Sequence, residues 1–175
     1  MSEEKRIPTM WEILRADVAD QYVSERSGLS YVTGRYVKQT LNQIFGPLGW
    51  SYTIVDQYPI GDFTGESAQW FCHLRLSVTV GDFTTTRDGM AVGHGLLVTR
   101  KGRVSPGRAN EIIDFAAAES VTDALKRAAV SLGGVLGLSL YPLTAGDKSA
   151  SSAPAPRPAP KGKSGLKAPK NTEKF

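Results

Sequence analysis

The chain is poor in the residues that hold metals and carry covalent chemistry. Its 175 residues include one cysteine, Cys72, and two histidines, His73 and His94. A single cysteine excludes an intrachain disulfide and suits a reducing compartment. Cys72 and His73 are neighbours, and neighbours in a strand point to opposite faces, so the pair is badly placed to share an ion. Cys72 reads instead as a small core residue. A histidine/cysteine metal site of ordinary spacing needs more ligands than these. No metal and no cofactor is expected.

Other signatures are missing too. No G-x-x-x-x-G-K-[ST] phosphate loop is present. The run Gly133-Gly-Val-Leu-Gly137 follows a helical pattern rather than a strand, so it reads as a helix stop and not as a dinucleotide loop. Asp62, Glu66, Asp82 and Asp88 stand beside glycine and threonine, as turn residues do, which argues against a carboxylate nuclease centre. The chain therefore reads as a binding protein, not an enzyme. Residues 128–146 carry no charge, but glycines and Pro142 break the run into pieces. A buried core segment fits it better than a membrane span. No apolar run follows Met1-Ser-Glu-Glu-Lys-Arg6, so no secretory signal is read. A cytoplasmic location is expected, at the nucleoid if the source is bacterial or a phage. The small size and short tail point to such a source.

Charge is present but unevenly placed. Of the formal +4, residues 146–175 hold seven Lys/Arg against two acids, leaving residues 1–145 with 14 basic and 15 acidic groups. So balanced a body cannot attract a polyanion by net charge. It needs cations focused on one surface, or several copies side by side. The stretch from Ser149 to Phe175 has five of the ten prolines, with much Ala, Ser and Lys. It cannot bury a core and is expected to be disordered. Three regions follow: a flexible start over 1–8, a folded domain over 9–145, and the basic tail over 146–175.

Within the domain the periodicities are readable. Thr9 and Glu12 have capping-box spacing, and Trp11, Leu14 and Val18 follow at helical intervals, predicting a helix over about 9–23. Leu29 to Val32 suits a strand and Gly34 a turn. Val37, Leu41, Ile44 and Phe45 predict a second helix, stopped by Gly46-Pro47. Trp50 to Tyr58 alternates as a strand does. The clearest strand places Trp70, Cys72, Leu74, Leu76, Val78 and Val80 on one face. Gly81-Asp82 turns the chain, and Phe83 to Asp88 returns as another strand. Met90 to Thr99 shows no clear period. Arg100 to Arg108 is a basic loop. Asn110 can cap a long helix running to about Leu132, closed by Gly133-Gly134.

That helix carries the most informative feature. Asp123 precedes Lys126 and Arg127 by three and four residues, so the three share one side of the helix and Asp123 can pair with Arg127. Val121, Ala124, Leu125, Ala128 and Leu132 form a separate apolar stripe. Two cations near a helix end also complement the helix dipole and occur on many solvated faces. Their wording here is specific. Glu119-Ser-Val-Thr-Asp-Ala-Leu-Lys-Arg-Ala-Ala129 resembles the signature helix of the Rad-fifty-two/Rad-twenty-two family of single-strand annealing proteins. That family shows Glu-Ala-Val-Thr-Asp-Ala-Leu-Lys-Arg-Ala, then Phe-Gly-Asn-x-Leu-Gly-x-x-Leu-Tyr. Here the second run reads Leu132-Gly-Gly-Val-Leu-Gly-Leu-Ser-Leu-Tyr141. An earlier family motif resembles the stretch from Tyr31 to Trp50, with Tyr31, Gly34, Asn42, Phe45, Gly46, Gly49 and Trp50 coinciding.

The pattern of elements predicts an α+β domain, an antiparallel sheet with one long helix on its apolar face and shorter helices before it. The resemblance implies the same fold, assembled as a ring of many copies with single-stranded DNA held in a groove. It implies that Lys126 and Arg127 hold phosphates. The family's further basic residue stands two positions after the motif glycine, where this chain has Tyr36; Arg35 is one position early, so a shifted turn could let Arg35 serve, or Tyr36 could contribute its ring or hydroxyl. Lys38 sits close by on the same helix, and Arg100, Lys101, Arg103 and Arg108 could line the same groove. The chain lacks family cations at Ala118 and Val130. It also has Gly81 where a lysine of a second, outer DNA site is usual. The implied activity is ATP-independent binding and annealing of single strands in recombination and repair. A single-strand-binding or recombination protein could dock on the tail. The alternatives are a binding or recombinase-loading module without annealing, a metal-dependent nuclease, and a scaffold whose cations serve subunit contacts.

Overall fold

A computed structural model of the chain describes residues 8–26 and 28–141. The expected flexible start, up to Ile7, and the basic tail lie outside the described residues. What is described is an α+β unit of three antiparallel sheets and three α-helices.

The central sheet is a meander in the order β3-β4-β5: β3 is Trp50–Pro59, β4 Ser67–Val80 and β5 Phe83–Leu96. Its register sets Leu76 opposite Tyr52 and Arg87, and Cys72 opposite Gln57 and Ala91. The register shifts between Ile54 and Asp56, a bulge at Val55. The predicted face of β4 is the core face. Cys72, Leu74 and Leu76 are fully buried, and together with Val37, Leu41, Leu125 and Leu136 they form the main cluster. Each such leucine contributes about 1.5–3 kcal/mol by leaving water. Burial also raises the Cys72 thiol pKa, and His73 points to the other face, 3.3 Å from Asp88.

β5 runs on through the stretch without a clear period. The alternation is intact, but it is written in glycine. Gly89, Ala91, Gly93 and Gly95 face α3, the long helix Pro106–Val130. A Cβ at Gly89 would lie 2.0 Å from the Ala124 carbonyl oxygen, and one at Gly93 only 1.9 Å from that of Ala116. The helix answers with its own small stripe, Ala116, Ser120, Ala124 and Ala128, all buried. Backbone thus packs on backbone, which holds α3 in a fixed place above the sheet.

The bounds of three predicted helices move. The first helix, α1, covers only Met10–Arg15. Its capping box forms as expected, with Thr9 N–H donating to Glu12 Oε2 at 2.7 Å. Trp11 is 65% exposed, however, so the apolar spacing does not mark one buried face. Val18 reaches the core from an extended segment whose N–H donates to Ser139 Oγ. α3 starts at Pro106 after Ser105, four residues before Asn110, because proline suits the first helical position. It ends at Val130, before the glycine pair. Gly34 is the first residue of α2, Gly34–Phe45, and not a turn; Thr33 caps this helix by accepting the Tyr36 N–H.

Two short hairpins complete the unit. β1, Val23–Arg26, pairs with β2, Leu29–Val32. β6, Val98–Thr99, pairs with β7, Gly102–Arg103, so the turn and β7 fall inside the predicted basic loop. No helix among the described residues is long and apolar enough to cross a membrane.

Candidate nucleic-acid interface

Lys126 and Arg127 lie near the end of α3, in a groove between that helix and β2. The groove has a volume of about 500 Å³. Its lining includes Leu29, Tyr31, Asp123, Lys126, Arg127 and Tyr141. Lys126 Nζ is 2.6 Å from Asp123 Oδ1 and sits over the Tyr31 ring, 5.7 Å from its centroid. Asp123 therefore pairs three residues on, with Lys126, and not four residues on with Arg127. Arg127 is exposed and has no ion-pair partner among the described residues. Glu119 also lines the groove, with one carboxylate oxygen accepting the His94 N–H at 2.8 Å. The groove's formal charges cancel, so Arg127 is its one uncommitted cation.

The Tyr31–Trp50 motif builds the side of this site. Tyr31 supplies the ring under Lys126. Gly34 lets α2 meet α3, since a Cβ there would lie 2.4 Å from Thr122 Cγ2. Thr122 is one turn before Lys126. Asn42 Oδ1 accepts the Trp50 indole N–H at 2.7 Å, tying α2 to the start of β3. Gly46 has φ +76, and a Cβ at Gly49 would strike the Phe45 carbonyl oxygen at 2.0 Å. The motif residues thus fix where α2 sits against the groove.

The nine predicted binding residues do not converge. Arg35 and Lys38 are exposed on α2, whose first residue meets α3 at Thr122. Arg108 stands in the first turn of α3, 18 residues before Lys126, about 27 Å away along the axis. It is paired with Glu111. Arg103 is committed elsewhere: its guanidinium donates to the carbonyls of Phe63, Thr64 and Gly65 at 2.8–3.0 Å, closing that loop. Arg100 and Lys101 are exposed at the β6–β7 turn. The expected single groove is therefore two basic regions at opposite ends of α3.

Two of the four carboxylates weighed as a nuclease centre, Asp88 and Asp62, are engaged. Arg75 grips Asp88 through two hydrogen bonds of 2.7 and 2.9 Å and holds its carboxyl at a pKa of about 2. Asp88 is thus a mid-strand ion-pair residue, not a turn residue. Asp62 accepts from the Thr64 N–H and hydroxyl, which lowers its pKa.

Comparison with known proteins gives this arrangement a family. Residues 6–158 match the model of the Rad52/22 family double-strand break repair protein. The chain is 31% identical over 145 residues to DNA repair and recombination protein mus-11 of Neurospora crassa. It is 32% identical over 147 residues to rhm52 of Pyricularia oryzae, and 33% over 129 residues to RAD52 of Kluyveromyces lactis. The chain belongs to the Rad52/22 family. The matches cover 78%, 78% and 69% of this chain but only 23%, 24% and 27% of those relatives, so it spans about a quarter of their length.

Against the Rad52/22 pattern, Tyr36 is the departure the structure explains best. Its hydroxyl donates to the Val135 carbonyl at 2.9 Å, and its ring packs 4.9 Å from that of Tyr22. The hydroxyl proton is spent inside the fold. Of the two residues following Gly34, only exposed Arg35 has its donors free among the described residues.

Proposed function

We propose that the chain binds single-stranded DNA without ATP and anneals complementary strands in recombination and repair, working as a ring of copies. The observation that carries this reading is the placement of Lys126 and Arg127 in one open groove on a helix packed directly on the backbone of β5. Membership of a family whose relatives are named for DNA repair and recombination supports it.

Annealing asks little covalent chemistry of a protein. Stacking contributes roughly 1.4 kcal/mol per base step, so ten matched steps give on the order of 14 kcal/mol. The slow part is bringing two mutually repelling strands into register. Neutralising phosphates while leaving base edges free lowers that barrier.

A groove with one uncommitted cation needs repetition to hold a strand, and the surface supports assembly. β3 is an edge strand exposed along most of its length. Tyr52, Ile54, Val55, Tyr58 and Ile60 on and beside it are 40–48% exposed. Long apolar edges of this kind are normally paired or covered. Copies joined there bring Lys126, Arg127 and Arg35 onto one track, with Lys38 on the same helix as Arg35. Arg100, Lys101 and Arg108 serve as a separate contact. The tail tethers nucleic acid or a partner protein.

Two results test this. The protein should speed the pairing of complementary oligonucleotides with no nucleotide present, as a particle many times its 18.9 kDa chain mass. A monomer that binds strands without speeding their pairing contradicts it.

Asp123 gives a finer prediction. Asp123→Asn removes a negative charge from the groove and frees Lys126. Single-strand affinity at low salt should rise about two- to fivefold. Thermal stability should barely move, since such helical pairs contribute about 0.2–0.5 kcal/mol. Affinity that falls would instead make Asp123 the residue that aims Lys126.

A further inference from the structure

The groove that holds Lys126 and Arg127 also has an apolar wall for which phosphate binding gives no use. Leu29 is 72% exposed and Tyr141 67% exposed, among the most exposed apolar side chains described. Scattered exposed apolar residues are ordinary. These two border the same cavity as the cations. Of the residues leading to Tyr141, Leu136 is fully buried and Leu140 packs against the core, while Leu138 is 49% exposed. The Tyr141 N–H donates to the Leu138 carbonyl at 3.1 Å, holding the backbone in a short turn. The core takes Leu136 and Leu140 and leaves this ring at the groove.

We infer that Tyr141 is a base-stacking residue: unpaired nucleobases lie against its ring, beside Leu29, while Lys126 and Arg127 hold the adjoining phosphates. This rests on the single-strand reading above and deepens it. Three considerations select nucleobases as the occupant. The groove pairs cations with an aromatic face, the combination that single strands recognise. Tyr31, the other aromatic ring in the groove, is already covered by Lys126. Both carboxylates of the groove are engaged, Asp123 by Lys126 and Glu119 by the His94 N–H. Stacking also suits annealing, because it uses the face of a base and leaves its hydrogen-bonding edge free. Phosphate contacts alone would hold the strand without orienting its bases.

The test compares an ordinary single-stranded oligonucleotide with an abasic one of equal length and charge, using the full chain. Wild type should bind the abasic strand about tenfold more weakly or worse, as loss of a stacked base implies. Tyr141→Ala should weaken binding to the ordinary strand by a similar factor and leave abasic binding unchanged. Its salt dependence should match wild type, because stacking releases no counterions. Tyr141→Phe should behave as wild type. Equal losses on both strands, or no loss on either, overturn the inference while the annealing reading stands. Loss of particle mass in Tyr141→Ala also overturns it, by placing the ring in a subunit contact. Wild type that binds neither strand removes the annealing reading itself.

Discussion

Replacing Lys126 and Arg127 together by alanine should lower single-strand affinity at least a hundredfold and leave the fold intact. Hydrogen bonds to charged groups contribute about 1.5–3 kcal/mol each, so two lost per groove reach that factor even for one copy. Alanine is the best helix former, Arg127 is exposed, and Lys126 touches only Asp123 and the Tyr31 ring at the groove, while the buried stripe of α3 is untouched, so α3 should keep its place. The salt dependence carries the mechanism. Each phosphate contact contributes about −0.7 to the log–log slope on single strands. The double variant should therefore lose roughly 1.4 from that slope for every copy the strand touches. Arg100→Ala with Lys101→Ala should have a much smaller effect, since that hairpin lies at the far end of α3. Wild-type affinity in the Lys126/Arg127 variant would move the site away from this groove.

The second large effect is on stability. Gly93→Ala should destabilise the domain by about 3 kcal/mol or more, the upper range for overpacking a tight interior. The added Cβ would lie 1.9 Å from the Ala116 carbonyl oxygen and 2.7 Å from the Ser120 nitrogen. Both are backbone atoms of a 25-residue helix, so no side chain can swing aside. The helix must lift, and its small-residue stripe loses contact with β5. Against a typical total of 5–15 kcal/mol this is a large fraction, readable as a fall in Tm of roughly 10 °C or more. Gly107→Ala is the control. It lies in α3 with nothing within 4 Å of its would-be Cβ, so helix propensity should make it neutral or slightly stabilising. Equal Tm values for Gly93→Ala and wild type would mean the helix sits higher above the sheet than described.

These two predictions also mark where the sequence was readable. Lys126 and Arg127 could be singled out because their helix carries a distinctive wording, and β4 because its apolar residues alternate over a full strand. The second half of β5 was illegible for a physical reason. Its core-facing positions are Gly89, Ala91, Gly93 and Gly95, and a hydrophobic pattern does not register glycine as buried. The first helix was overextended because Trp11, Leu14 and Val18 have helical spacing without sharing a helix. Arg103 looked like a DNA ligand because its partners, the carbonyls of residues 63–65, lie some 40 residues away in the chain. Tyr36 looked available because nothing local announces that its hydroxyl reaches Val135. The wall formed by Leu29 and Tyr141 had no periodic signal, since one ends a hairpin turn and the other closes a short helical turn. The cations were legible as a motif, whereas their partners depend on tertiary contacts.

That difference bears on how the site works. The charge of the groove is balanced by Asp123 and Glu119, so a single copy should be a weak ligand for DNA. On the proposed reading, strength comes from repetition along a strand, and selectivity for single strands from exposed bases meeting the groove. Duplex DNA offers phosphates but hides its base faces. Both properties would serve the proposed role of holding one strand open to its complement.

The most direct test is the rate at which two complementary oligonucleotides pair at low concentration, without ATP, as protein is added. The account predicts acceleration of at least tenfold, an optimum near the amount that coats the strands, and none with the Lys126→Ala/Arg127→Ala variant. Tight single-strand binding with pairing unchanged or slowed at every protein concentration would contradict it.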